Sequence, residues 1–397
     1  MSGATVQQAV DVPPDHGAAV VIDVDAVVSN YRAYCALADP VPVAASLKAN
    51  AYGLGIDRIA PALAAAGCEV FFVALPCEGI ALRRLLPRAC IVVLSGADPA
   101  SASLFVRHRL SPALNSLDQI AGWQRICAGG ADVEAAVLHL DTGMSRLGLS
   151  PGEVAQLVDE PQRLDGIRLQ CVLSHLACAD EPANPMNTQQ RDAFVAATDS
   201  LASATGRVAR SLANSSGAFL GADYHFDLIR PGAGLYGINP TPQQVNPMRA
   251  TVRLYARILQ VRELDAPQTV GYGAAHRITG PSRIATVAIG YGDGYMRAVG
   301  NVAGGATTGP GAANRPAVAR GFIGESPVPV VGRVSMDLIT LDVSAVAPDA
   351  SQPGALVELV GPHVPVDEVA GWAGTIGYEI LTGLGDRLHR VYTGGTA

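Results

Sequence analysis

The chain has 397 residues, enough for two domains and a large interior, and 49% are hydrophobic, with 43 Gly and 27 Pro, which fits a globular protein and excludes disorder or a collagen-like repeat. A net charge of −7 without a basic run argues against nucleic acid as a partner. No apolar run is long enough to span a bilayer, the N-terminus "MSGATVQQAVDVPPDHG" lacks a signal-peptide pattern, and seven cysteines never spaced C-x-x-C read as buried reduced thiols, so the expectation is a cytoplasmic protein without a zinc site.

From residue 19 to about 240, short apolar runs alternate with amphipathic or alanine-rich segments. The runs are "AVVIDV" (19–24), "VPVAASLKA" (41–49), "VFFVAL" (70–75), "IVVLS" (91–95), "SPALN" (111–115), "VEAAVLHLD" (133–141), "LQCVLSHLA" (169–177), "VARSLANSS" (208–216) and "FDLIRPGAGLYGI" (226–238). Continuous apolar runs suit strands covered on both faces, and helical patterns such as "IDRIAPALAAAG", "DPASASLFVRHRL" and "TQQRDAFVAATDSLASAT" supply the cover. About eight such units predict an α/β fold, a (β/α)₈ TIM-type barrel. A doubly wound sheet is the alternative, but no G-x-G-x-x-G fingerprint follows an early strand.

From about 246 the pattern turns to longer alternating segments, "ATVRLYARILQVREL", "SRIATVAIGY", "RPAVARGFI" and "VPVVGRVSMDLITLDVS", which predict a mainly antiparallel β-domain. One helix is expected around "VDEVAGWAGTIGYEILTGLG". The expected organisation is an N-terminal extension over 1–18, a barrel over 19–245 and a β-domain over 246–397, with the boundary in the loop "NPTPQQVNP".

Chemistry in such a barrel collects where strands run out into their loops, and those places hold Lys48, Asp141 to Arg146, His175, Asn214 with Ser215, and Arg230. Of 28 basic residues, 27 are arginine and Lys48 is the one lysine. A solvated loop charge is the plain reading of any lysine. Arginine already serves that role everywhere else, yet it cannot lose its proton and act as an amine nucleophile, so the exception points to a Schiff base with either a carbonyl substrate or pyridoxal phosphate (PLP). "NSSGA" (214–218) ends a strand and opens a helix, which suits an anion, though a Ser N-cap looks the same. Arg230 precedes a Pro-Gly turn and reads equally as a loop arginine. Taken alone, "GYGDGY" is a hairpin turn and Met336 is core filling.

"SLKANAYGLG" (46–55) resembles the PLP-lysine motif of the alanine racemase family. "LDTGMSRLG", "SHLACAD", "ANSSGA", "IRPGAGLYG", "GYGAAH", "IGYGDGYMR", "VVGRVSMD" and "TIGYEIL" resemble further family segments in the family's order, across residues 19–392. The resemblance implies a barrel followed by a β-domain, PLP as cofactor, and a homodimer whose sites borrow residues from the partner's β-domain. It implies that Lys48 holds PLP, that the partner's Tyr291 is the opposing catalytic base, and that Tyr52, Asn214, Ser215, Gly232, Ala233 and Tyr378 surround the cofactor, mostly at its phosphate. Arg146 would meet the cofactor's phenolic oxygen and the substrate carboxylate, and the partner's Met336 would also meet substrate. His175 and Arg230 match positions of a hydrogen-bonded chain to the tyrosine. An arginine beside the pyridine nitrogen favours reprotonation over transamination and argues against the related barrel decarboxylases, which also carry a C-terminal catalytic cysteine; this chain has none after Cys178.

The implied activity is racemisation of L- and D-alanine, for cell-wall D-alanine or catabolism. A racemase of wider range that accepts serine, a non-catalytic PLP-binding protein, and a Schiff-base aldolase are the alternatives. One departure from the family pattern stands out: many relatives have a carbamylated lysine where this chain has His139. Neutral His139 itself, or a bound inorganic anion such as chloride, is expected to position Arg146 instead, against the plain reading of a packed strand-end histidine.

Overall fold

The computed structural model describes residues 12–301 and 318–395, and the chain divides into two compact units: Asp25–Arg249 with Gly395, and the chain up to Val24 together with Ala250–Gly394. Of the extension expected over 1–18, residues 1–11 lie outside the described residues, as do 315–317 of "RPAVARGFI".

In the first unit, seven strands form one parallel sheet in chain order. They are β2 (Ala45–Ser46), β3 (Val70–Val73), β4 (Cys90–Val93), β5 (Ser111–Leu114), β6 (Ala136–His139), β7 (Leu169–Leu173) and β8 (Ala209–Ser211). The run at 226–238 closes the ring. Ile229 bridges Val43 in parallel and its carbonyl accepts from the Ala44 N–H, while the Arg230 N–H donates to the Ala213 carbonyl on the other side. Ala44, Phe72, Val92, Ala113, Val137, Cys171 and Leu173 form the buried core inside, one or two from nearly every strand.

Helices α1 (Val24–Ala38), α2 (Ile56–Ala65), α3 (Pro76–Leu85), α4 (Ala102–His108), α5 (Leu117–Ala128), α6 (Pro151–Asp159) and α7 (Pro185–Thr205) are the connections. Their starts are written locally. Ser150 and Glu153 make a capping box around Pro151 at α6, and Asn184 accepts the Met186 N–H at 3.0 Å at the start of α7.

The first apolar run does not enter the barrel. As β1 (Ala18–Asp23) it pairs antiparallel with β9 (Val252–Leu264) and parallel with β17 (His389–Thr393), Val20 lying opposite Leu254 and Arg390. A strand buried on both faces needs the same composition in either sheet, so the run could not announce its partners, and the barrel unit starts at Asp25 rather than residue 19.

The second unit is mainly antiparallel and includes the short pair β10 (Thr269–Val270) and β11 (His276–Arg277). Its strands run in the order β14 (Ser326–Pro329), β13 (Arg320–Ile323), β16 (Leu356–Val360), β9, β1, β17, and β12 (Ser282–Val287) joins β9 to β15 (Ile339–Asp342). Two expectations change here. The single C-terminal helix is two, α8 (Val366–Ala373) and α9 (Gly377–Thr382), broken where Gly374 turns left-handed at φ 72°. "VPVVGRVSMDLITLDVS" is two strands, because Gly332 at φ 72° and a turn closed by the Ser335 N–H to the Leu338 carbonyl, 3.0 Å, interrupt the alternation.

Candidate active site

Past β2 the chain winds left-handed. Ala49, Asn50, Ala51 and Tyr52 take φ values of 52°, 56°, 54° and 55°, a conformation that costs L-residues roughly 1–2 kcal/mol each. Specific bonds hold it. The Ala49 N–H donates to the Glu78 carboxylate at 2.6 Å, the same carboxylate accepts from Ala74 and Leu75 at 2.7 and 3.1 Å, and Asn50 Oδ1 accepts the Ile56 N–H at 2.9 Å. Lys48 stands at the head of this turn with Nζ 5.9 Å from the Tyr52 ring centre. Burial first, then the Arg146 charge, pull its amine below the ordinary lysine range, with Arg230 adding and Glu78 opposing. The one side-chain amine is therefore one that gives up its proton more readily than a surface lysine.

Other strand ends bring cations and neutral histidines to the same end of the barrel. Arg230 is 7% exposed, donates to Ser211 Oγ at 2.5 Å and to the Ser174 carbonyl at 2.6 Å, and burial draws it down to about 10, so it remains charged at neutral pH. At the end of β6, His139 Nδ1 lies 2.6 Å from Asn115 Oδ1. The Asn115 amide nitrogen donates to the Leu94 and Ala113 carbonyls at 3.0 and 2.8 Å, which turns its oxygen toward the ring, so Nδ1 carries the proton and Nε2 is left as an acceptor. Burial, then Arg230 and Arg146, push His139 down to about 4. His175 also lies well below the imidazole range, through desolvation and then Arg230, Lys48 and Arg146.

The loop that carries Arg146 is fastened beneath it. Asp141 Oδ1 accepts the Gly143 and Ser145 N–H groups at 2.9 and 3.1 Å, and Gln190 of α7 reaches Thr142 Oγ1 at 3.3 Å and the His175 carbonyl at 2.9 Å. Arg146 itself is exposed.

Asn214 and Ser215 open a 3₁₀ turn, Gly217–Phe219, rather than the helix expected there, and Asn214 Oδ1 caps the Gly217 N–H at 2.9 Å. Buried Ser215 has a different task. Its Oγ accepts the Gly232 and Gly234 N–H groups at 2.8 and 3.2 Å, which leaves the hydroxyl proton to donate elsewhere. A Cβ on Gly232 would lie 2.3 Å from Tyr52 Oη, so only glycine admits that hydroxyl against the loop. Hydroxyls of Tyr52 and Ser215 and the backbone of Gly232 and Ala233 thus meet beside the lysine turn.

The family model for the alanine racemase N-terminal domain matches residues 22–240, and that for its C-terminal domain matches residues 251–392. The chain belongs to the alanine racemase family. It is 46% identical to an alanine racemase of Rhodospirillum rubrum over 95% of this chain and 96% of that one, and 46% identical to a catabolic alanine racemase of Mesorhizobium japonicum over 96% and 94%. Among solved structures it resembles alanine racemase from Bartonella henselae with covalently bound pyridoxal phosphate, with a TM-score of 0.86 and 36% identity over 95% of this chain and 99% of that one. As a family member it is an amino-acid racemase, an isomerase acting on alanine.

The barrel residues suit such a cofactor: a desolvated amine for its aldehyde, hydroxyl and backbone donors for its phosphate, and a buried cation, Arg230, for its ring. The remaining family motifs lie in the β-domain. Tyr291 begins a 3₁₀ turn, Tyr291–Asp293, not a hairpin, and is 41% exposed; Met336 tops the Ser335–Leu338 turn at 54%, so it fills no core; Tyr378 sits on α9 at 38%. Sequence reasoning passed over Glu78, Asn115 and Gln190. Asn115 closes the quoted run "SPALN" and so met the strand-end criterion that singled out its neighbours. The thiols are all unpaired, but only Cys68 and Cys171 are buried, and Cys77 is exposed.

Proposed function

We propose that the chain is a PLP-dependent alanine racemase of the cytoplasm, a homodimer that works with two bases, Lys48 and the partner subunit's Tyr291. The observation that carries this reading is the single lysine, desolvated and flanked by cations, at the head of a strained turn at the strand ends of the barrel. Lys48 would hold the cofactor covalently, with Tyr52, Asn214, Ser215 and Tyr378 around its phosphate and Gly232 and Ala233 also against it. When bound, PLP supplies the electron sink that lets an amino acid lose its α-proton.

The protein's own groups then divide the proton work. Lys48 Nζ, its affinity for a proton lowered by burial, takes or returns the proton on one face, the D side, and the partner subunit's Tyr291 Oη does so on the other, the L side. Tyrosine at its ordinary pKa of about 10 is a weak base, so the cationic Arg230 and the neutral His175 serve to stabilise its phenolate. Arg230 remains a cation and would help hold the cofactor's ring, where a cation, unlike a carboxylate, would not favour a protonated pyridine and so would favour reprotonation over transamination. Arg146 offers its guanidinium to the substrate carboxylate, and neutral His139 presents Nε2 as acceptor rather than a second positive charge.

Chiral analysis of alanine after incubation of the PLP-loaded protein with L-alanine tests this directly. Conversion toward equal enantiomers is expected, with loss in Lys48→Arg; L-serine in a parallel reaction reads the substrate range. No D-alanine from a preparation that carries PLP would sink the proposal.

A further inference from the structure

Tyr291 and Met336 combine exposed side chains with fastened backbones. The Tyr291 N–H donates to the Ser335 carbonyl at 3.0 Å and the Gly292 N–H to the Met336 carbonyl at 2.8 Å, so the two turns are zipped together. A Cβ on Gly290 would fall 2.3 Å from the Ser335 and Met336 carbonyl oxygens, which shows how close the two backbones run. One side chain spans the pair. Arg387 Nε donates to Asp293 Oδ1 at 2.8 Å and Nη1 to Asp337 Oδ1 at 2.7 Å, and a Cβ on Gly292 would meet Arg387 Nη2 at 2.7 Å. Asp293 is 7% exposed and its other oxygen accepts the Gly290 N–H at 2.9 Å, so both carboxylate oxygens are committed.

We propose that Arg387 is a positioning residue that clasps the Tyr291 and Met336 turns through Asp293 and Asp337 and so sets where the phenol and the Met336 backbone stand relative to each other. An exposed ion pair by itself contributes little to stability, but a planar guanidinium bonded to two carboxylates and seated on a glycine fixes geometry, which lysine cannot do with one ammonium. The consequence is chemical. A proton acceptor displaced by about 1 Å loses on the order of 10²-fold in rate. This inference rests on the assignment of Tyr291 as the L-side base.

The test uses PLP-loaded full-length protein in deuterated water, with α-proton exchange followed separately from L- and D-alanine by NMR and backbone amide exchange read at Tyr291 and Gly292. Arg387→Met should lower kcat for exchange from L-alanine roughly 10- to 100-fold and that from D-alanine far less, and should raise KM for both through the Met336 turn. Arg387→Lys should recover only part. Retained exchange from D-alanine certifies the fold. Equal losses from the two enantiomers, or Tyr291 and Gly292 amides as protected in Arg387→Met as in the parent, would overturn the clasp. If Tyr291→Phe shows no L-selective loss, the base assignment fails instead, and the amide protection alone then decides whether Arg387 fastens the turns.

Discussion

Lowering the pH from 8 to 5 should leave His139 uncharged in the folded protein. The residue is 8% exposed, its Nδ1 proton is committed to Asn115, and burial with two nearby arginines holds it at about 4 against an ordinary imidazole near 6.5. At pH 5 the folded ring would be about one-tenth protonated, while the unfolded chain's histidine would be protonated about thirty to one. The unfolded state binds more protons across this window, so the stability present above 6.5 is lost as pH falls, about 2 kcal/mol by pH 5 and somewhat over 3 below about 4. His139→Gln, which does not titrate, should escape that increment, so urea unfolding of parent and variant at pH 8 and 5 should show a difference of about 2 kcal/mol in pH dependence. Nitrogen-15 spectra of histidine-labelled protein should report the proton on Nδ1 and no titration above pH 5. A His139 signal that titrates near 6.5, a proton on Nε2, or equal pH dependence of the two proteins would refute the reasoning.

Glu78→Ala should release the Ala49, Ala74 and Leu75 N–H groups and let the left-handed turn relax; with a charge-assisted bond contributing about 1.5–3 kcal/mol, the PLP dissociation constant should rise roughly tenfold or more, and an unchanged constant by absorbance titration would remove Glu78 from the account. If each site takes Lys48 from one chain and Tyr291 from the other, mixing inactive Lys48→Ala with inactive Tyr291→Phe should restore part of the activity through heterodimers. No recovery despite demonstrated subunit exchange would contradict the shared site.

The barrel was legible because each of its eight strand positions falls on a short apolar run, most of them with a polar residue at the end; seven of the nine runs hold the sheet strands and an eighth, 226–238, closes the ring through Ile229. β1 was misread for a physical reason: burial on both faces erases the alternation that distinguishes an antiparallel sheet from a parallel one. The lysine was legible from composition alone, since a single exception among 28 basic residues isolates a chemical need. Its support was less visible. Glu78 acts on Ala49 across 29 positions of sequence, Gln190 on His175 across 15, and Asn115 on His139 across 24, and one-dimensional spacing carries no trace of such pairs. The Met336 turn is hidden inside an alternating segment because Gly332 carries no sequence mark of a break there; its positive φ is a property of the folded chain.

Lys48 as the carrier of PLP is the central claim, and the composition of the chain makes one measurement unusually direct: borohydride reduction of the PLP-loaded protein followed by peptide mapping. No other side-chain amine exists to compete. The account predicts one reduced PLP per chain, on the peptide that contains Lys48, and no labelling of Lys48→Arg beyond any reaction at the N-terminal amine. Label confined to the N-terminus with Lys48 unmodified would contradict it.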